Sequence, residues 1–173
     1  ALVAEDMKAA AEMFLEDGHW RDLVAFTWHL RTFSGRDNIN VAMGDLMPSA
    51  QPHDFILSDD RTPPRWVKRA GVDTIEAIFC FETKTGTGNG VLRLVPIQGN
   101  PDRFGAWVLL TSLDEIKGHE EQIGARRPRG DEWSGGFGSE NWMDVRTRKL
   151  AYADREPAVV VIGGSQCGLG IAA

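Results

Sequence analysis

The chain has 173 residues, 42% of them hydrophobic and 25% charged, and its formal net charge is −6 at pH 7. These values are typical of a soluble globular protein with one ordinary domain plus a tail. The negative charge argues against general nucleic-acid binding, because phosphate contacts need a basic surface, and no apolar run is long enough to predict a membrane span. Cys80 and Cys167 lie far apart without metal-type spacing, so we expect two free thiols in the reducing cytoplasm and no metal site.

The first third of the chain predicts mainly helices. An apolar stripe over residues 2–16 indicates an amphipathic helix that Gly18 caps, and a short helical turn follows at residues 19–24. Residues 25–33 alternate in the manner of a strand. Ser34-Gly35-Arg36-Asp37 has the spacing of a capping box. It predicts a helix whose buried face contains Ile39, Met43, Leu46 and Met47.

The middle of the chain predicts a sheet. Residues 51–65 form a loop with one short strand at 54–57, and glycine-rich or proline-containing turns are expected at 86–90 and 100–102. Three longer strands alternate strongly: 73–83, 91–97 and 105–113. Helices followed by a curling antiparallel meander predict an α+β fold, in which a bent sheet wraps around its helices and leaves a pocket in the concavity.

The last third predicts a linker and then the start of a second kind of domain. Residues 118–156 indicate a linker containing a short helix within 140–154, so we place domain boundaries near residues 117 and 156. In residues 157–173, the run Val159–Ile162 suits a strand buried on both faces. It leads into a glycine turn that is typical of dinucleotide-binding units, where backbone N–H groups meet a pyrophosphate.

Several segments, taken together, resemble a known family. In the front part they are Trp20-Arg21-Asp22-Leu23, Phe26-Thr27-Trp28, Leu30-Arg31-Thr32-Phe33, Gly35-Arg36-Asp37 and Gly118-His119-Glu120-Glu121, and in the tail they are Tyr152–Pro157 and Gly163–Leu169. They are similar to flavin-dependent monooxygenases in which a nuclear-transport-factor-2-like (SnoaL-like) cone domain precedes the FAD-binding Rossmann domain.

The resemblance implies an oxidoreductase that uses FAD and NADPH on a small organic substrate. It assigns residues 1–117 to the cone domain, 118–156 to the linker and 157–173 to a truncated start of the Rossmann domain. The residues it places against the FAD pyrophosphate are Gly163, Gly164, Ser165, Gln166, Cys167 and Gly168. The flavin ring and the NADPH site would lie beyond Ala173, so this fragment is expected to be inactive by itself.

The front domain also offers candidates for a pocket of its own. Cone folds of this kind include isomerases and dehydratases that use an Asp or His in an apolar pocket as a general base. The candidate lining residues are Trp28, His29, His53, Trp107 and Thr111, with Asp54 beside them. Because neither histidine has an acid or base partner at helpful spacing, we favour half-buried or loop positions for both.

Three functions follow from these patterns. The first is the N-terminal part of a flavin-dependent monooxygenase-like oxidoreductase, with the cone domain as a dimerisation or substrate-channel module. The second is a stand-alone cone domain that binds a small molecule or acts as an isomerase or dehydratase. The third is a structural module that forms homodimers through its sheet face. None of them predicts a nucleic-acid or membrane partner.

Overall fold

A computed structural model describes residues 7–97, 99–127, 140–157 and 159–172. The chain divides into two compact units, Ala1–Glu121 and Gln122–Ala173, and each is described by itself below. The first five residues of the predicted helix at 2–16, together with Gln98 and Ala158, lie outside the described residues.

The described residues of the first unit form two helices and seven strands. The helices are α1, Met7–Glu12, and α2, Arg36–Ala50. The strands are β1, Phe14–Leu23; β2, Leu30–Ser34; β3, His53–Leu57; β4, Arg65–Arg69; β5, Val72–Glu82; β6, Gly86–Ile97; and β7, Asn100–Ile116. This composition confirms the predicted α+β class.

All seven strands belong to one open sheet. Its order is β2-β1-β7-β6-β5-β3, and β4 pairs with the same edge of β5 as β3 does. The pairing of β1 with β7 is parallel, whereas the other pairs are antiparallel. The sheet is therefore mixed, whereas the sequence predicts an antiparallel sheet. Register shifts interrupt three of the pairs, and such bulges bend strands. A curved, unclosed sheet with few helices fits the cone fold that the resemblance implies.

The core lies between α2 and one face of the sheet. From the helix, Ile39, Met43 and Met47 are buried, and Trp20 and Phe81 are the largest buried side chains of the strands. The predicted buried face of α2 is therefore confirmed at these three helix positions, while Leu46 is half-buried. The capping box is wrong: the N-cap residue is Gly35, with no side-chain hydrogen bond.

The predicted helix end and helical turn at residues 13–24 are wrong, because this segment is strand β1. Gly18, Trp20 and Asp22 are all buried and alternate with less buried neighbours, which is the period of a strand. The sequence does not show the alternation of apolar and polar residues that predicts a strand, because a glycine and an aspartate occupy two inward positions. The predicted strand at 25–33 is correspondingly shortened to β2, since residues 24–29 form the loop of the β1–β2 hairpin.

The predicted turn at residues 86–90 is also wrong, because these residues open strand β6. The hairpin turn comes earlier, where the Thr83 N–H donates to the carbonyl of Gly86. Gly88 and Gly90 pair with Phe81 and Phe79, and a Cβ on either glycine would collide with the opposing ring. The glycines are therefore needed for close packing across the sheet.

Among its described residues, the second unit has a 3₁₀ helix at Gly124–Arg126 and two helices, α3, Trp142–Ala151, and α4, Gln166–Ala172. Helix α3 lies within residues 140–154, where the sequence predicts a short helix, and the side chain of Asn141 caps it by accepting from the N–H groups of Met143 and Asp144. The run Val159–Ile162 is not a strand and all four side chains are exposed, Ile162 at 97%. A strand needs a hydrogen-bonded neighbour, and in the described part of this unit no strand is present to pair with it. No described helix is long and apolar enough to cross a membrane.

Candidate ligand pocket

A cavity of about 470 Å³ lies in the first unit, between the sheet and the two helices. Seventeen of the eighteen described residues that line it are aliphatic, aromatic or methionine residues, and the eighteenth is Thr111. Small side chains at Ala10, Ala77 and Ala106 leave much of the open space. Organic ligands occupy cavities of this size and composition in other proteins.

Aromatic rings form a large part of the pocket wall. Phe26 stacks on Phe81 at 5.5 Å between centroids, and Trp20 meets Phe26 edge-on at the same distance. Phe55 stacks on Phe81 at 5.6 Å. Such packed pairs hold the rings in fixed orientations, so the pocket presents preformed aromatic surfaces.

The mouth of the pocket is also apolar. Met13, Ile56, Leu57 and Phe104 line the cavity and yet keep 63%, 59%, 52% and 37% of their surface exposed. Trp66, which is 59% exposed, packs beside Phe104 at 6.0 Å between centroids. Exposed apolar side chains around a cavity are typical of an interaction site.

A buried hydrogen-bonded chain stands behind the one polar lining residue. The indole N–H of Trp20 donates to the hydroxyl oxygen of Thr111 over 2.9 Å, and that hydroxyl donates to Oδ1 of Asp22 over 2.8 Å. The parallel pairing of β1 with β7 sets Asp22 directly beside Thr111. All three side chains are at least 98% buried.

Asp22 also fixes the loop at residues 24–29. Its Oδ2 accepts the backbone N–H groups of Phe26 and Thr27, at 3.1 and 2.8 Å, and lies 2.7 Å from the Thr27 hydroxyl. The Val24 N–H closes the loop on the carbonyl of His29. The loop positions Phe26 in the pocket wall, so the carboxylate shapes the pocket without lining it.

Among the five predicted lining residues, the structure places Thr111 in the pocket wall. Trp28 and His29 lie exposed on the loop at 24–29, and Trp107 is half-buried outside the lining. His53 lies on β3, where its Nδ1 is 3.0 Å from the carbonyl of Gln51 and its Nε2 is 3.9 Å from Glu82.

Sequence reasoning missed Asp22 as a site residue. The available signal is an aspartate at the start of a hairpin loop, since Asp side chains commonly accept backbone N–H groups in turns.

The strongest charge cluster of the unit lies outside the pocket. Glu76 is 94% buried and accepts from Arg69 and Arg93 at 2.8–3.0 Å, with Arg65 at 3.4 Å. Hydrogen bonding by Arg69, helped by Arg93 and opposed by burial, lowers the pKa of Glu76 from 4.5 to about 2. Because Ala77 lines the pocket and strand neighbours alternate, Glu76 faces the opposite side of the sheet.

The predicted phosphate turn lies in the second unit. Gly163 has φ +112°, which favours glycine, and Gly168 packs so closely on the carbonyl of Gly163 that a Cβ could not fit. Gly164, Ser165, Gln166 and Cys167 between them are exposed. The helix begins at Gln166, three residues earlier than the sequence predicts, so Gln166, Cys167 and Gly168 belong to the helix rather than to the turn.

No family model and no curated protein matches the chain. Solved structures match it weakly. A protein with a nuclear-transport-factor-2-like, cystatin-like fold from Novosphingobium aromaticivorans is 14% identical, with 65% of this chain and 71% of that chain covered and a TM-score of 0.42. Nuclear transport factor 2 from Cryptosporidium parvum is 14% identical, with 63% and 80% covered and a TM-score of 0.45.

A protein with a ketosteroid-isomerase-like fold from Catenulispora acidiphila, in complex with trimethylamine, is 15% identical, with 66% and 79% covered and a TM-score of 0.41. At these identities and TM-scores, the matches bring neither an activity nor a ligand to this chain. The topology and the cavity define its class: an α+β protein with an open mixed sheet and an apolar pocket on the face that packs against helix α2.

Proposed function

We propose that the first unit binds a largely apolar small molecule in its pocket. The observation that carries this proposal is the composition of the 470 Å³ cavity, in which Thr111 is the one polar side chain among the described lining residues. An apolar ligand would cover aromatic and methionine surface that otherwise stays in contact with water, and burial of apolar surface is favourable. The exposed apolar mouth offers such a ligand a path to the cavity.

Binding is favoured over acid–base catalysis. None of the described lining residues is an acid, a histidine or a lysine, so the wall offers no group to take up or deliver a proton. The carboxylate of Asp22, behind Thr111, is occupied by the backbone N–H groups of the loop and by Thr111. These contacts speak against the isomerase or dehydratase chemistry that the sequence leaves open.

The FAD that the sequence resemblance implies would be held, in that prediction, by residues 163–168. The turn at Gly163 and the close approach of Gly168 suit a pyrophosphate loop. However, the buried parallel strand that holds such a loop is missing at residues 159–162, and helix α4 has seven residues. The described residues alone do not form an FAD site, so the use of FAD and NADPH stays a prediction. Homodimer formation through the sheet face also stays a prediction.

The pocket proposal is tested with the neutral fluorophore 6-propionyl-2-dimethylaminonaphthalene (prodan), whose emission shifts to the blue in apolar surroundings. We expect saturable binding to the wild-type chain. Ala77→Phe places a ring in the cavity, so it should weaken binding by more than about tenfold, which corresponds to about 1.4 kcal/mol. The matched control is Ile78→Phe, because Ile78 is the next residue on β5 and does not line the pocket.

The control should bind prodan within about twofold of wild type, since strand neighbours point to opposite faces. Circular dichroism of both variants establishes that they fold. If the wild type shows no saturable blue shift, or if folded Ala77→Phe binds as tightly as the control, the proposal is wrong.

A further inference from the structure

The hydroxyl of Thr111 has one hydrogen-bonding position left. A threonine hydroxyl donates one proton and accepts at two lone pairs. Its proton goes to Oδ1 of Asp22, and one lone pair accepts from Trp20, whose indole nitrogen can only donate. The remaining position is a lone pair, and Thr111 is the one polar side chain among the described residues that line the cavity. The side chain of Thr111 therefore has one acceptor position and no donor left for a ligand.

We propose that the natural ligand of this pocket carries an O–H or N–H donor, on an otherwise apolar ring system, that hydrogen-bonds to Thr111. This inference rests on the proposed function, because it names the chemical class of the molecule that the pocket takes. The rings of Phe26, Phe55 and Phe79, which line the cavity, favour a flat aromatic or alicyclic body. A neutral aromatic alcohol meets both requirements, whereas a ketone or ether of the same shape, prodan included, would bind through apolar contacts without this hydrogen bond.

Asp22 is the positioning residue that decides the direction of this hydrogen bond. Its Oδ2 is committed as an acceptor, because two backbone N–H groups of the loop at 24–29 point at it. In Asp22→Asn, the amide oxygen must therefore occupy the Oδ2 position, which places the NH₂ group beside Thr111. Thr111 then accepts from both Trp20 and the new amide, and its own proton is released toward the cavity. The variant should convert the pocket wall from an acceptor to a donor.

The experiment compares two ligands of nearly equal shape, 2-naphthol and 2-methoxynaphthalene, by displacement of prodan. Both can accept a hydrogen bond, but naphthol alone can donate one. For the wild type we expect naphthol to bind about 3- to 10-fold more tightly than the ether, the range that one buried hydrogen bond usually supplies. In Asp22→Asn the preference should disappear or reverse, because the free hydroxyl proton can now be accepted by the ether oxygen.

Thr111→Val and Thr74→Val provide the controls. Thr111→Val removes the hydroxyl, so the two ligands should bind equally. Thr74 is fully buried on β5, donates to the carbonyl of Val67 and does not line the pocket, so Thr74→Val should keep the wild-type preference. If Thr111→Val does not fold, the change of preference between wild type and Asp22→Asn still decides the question.

The outcomes separate this inference from the pocket proposal. If neither naphthalene derivative displaces prodan, the pocket itself is not a binding site and both proposals fail. If both ligands bind but the wild type does not prefer naphthol, or if Asp22→Asn keeps the full preference, the pocket stands and the role of Thr111 is overturned.

Discussion

Replacing Glu76 with glutamine tests whether its ion pairs stabilise the fold. The carboxylate is 94% buried and accepts from three arginines, and the pKa of Glu76 is about 2 instead of 4.5. At 1.36 kcal/mol per pKa unit, this difference corresponds to about 3 kcal/mol. Because the arginine side chains are 31–41% exposed, water weakens the attraction, so we expect Glu76→Gln to cost about 1–3 kcal/mol at pH 7.

The effect must depend on pH in a defined direction. The folded-state pKa of Glu76 lies below its ordinary value, so the carboxylate contributes its full stability above pH 4.5 and loses it as the pH falls toward 2. The free energy of unfolding, measured by urea titration with tryptophan fluorescence, should therefore differ most between wild type and Glu76→Gln at pH 7. The difference should shrink steadily between pH 4.5 and 2.

Glu82→Gln is the matched control. Its side chain is 43% exposed, and hydrogen bonding to Lys117 lowers its pKa, so the same substitution removes a more solvated pair. We expect a smaller loss at pH 7 than for Glu76→Gln. A difference between Glu76→Gln and wild type that stays constant from pH 7 to 2.5 would refute the reasoning, since it would show a packing defect rather than a lost charge interaction.

Two further predictions concern a glycine strand and the cofactor. Gly88→Ala should destabilise the fold by about 1–3 kcal/mol, because the new methyl group collides with the ring of Phe81. The control Gly44→Ala, in open space on helix α2, should stabilise the fold by about 0.5–1 kcal/mol. Urea titration measures both free energies of unfolding, and equal effects of the two substitutions would contradict the assigned packing. If residues 163–168 belong to an FAD site, the purified protein should show flavin absorbance and fluorescence. A protein without flavin absorbance after incubation with FAD and gel filtration would count against the flavoprotein prediction.

Strong periodic patterns made part of the fold predictable. Strand β5 alternates over eleven residues, and helix α2 carries its apolar residues at helical spacing, so both elements could be identified from local sequence. Strand β1 could not, because Gly18 and Asp22 stand at inward positions where an apolar residue is expected. The glycines of β6 gave a turn signal, although they serve to admit phenylalanine rings. Prediction from local sequence fails where packing against a residue of the neighbouring strand decides which residue a position can hold.

The site was less predictable than the fold. Thr111 was among the candidates, but its significance depends on Trp20 and Asp22, which lie 91 and 89 residues away in the chain. The parallel pairing of β1 with β7 that joins them leaves no local signal in either segment. Aspartate is also usually a surface residue, so a fully buried one is not expected from its type.

The burial of Asp22 accounts for both the shape and the polarity of the pocket. A carboxylate is costly to remove from water unless it is hydrogen-bonded, and the described donors to Asp22 are neutral groups, two of them backbone N–H groups of the loop. One oxygen, Oδ1, therefore holds the Thr111 hydroxyl at the pocket wall, while the other, Oδ2, holds the loop. Asp22→Ala would release the loop and Phe26 together with the hydroxyl, whereas Asp22→Asn keeps the loop acceptor and alters the hydroxyl alone. If the carboxylate has both roles, alanine should weaken binding of every ligand, and asparagine should change which ligand is preferred.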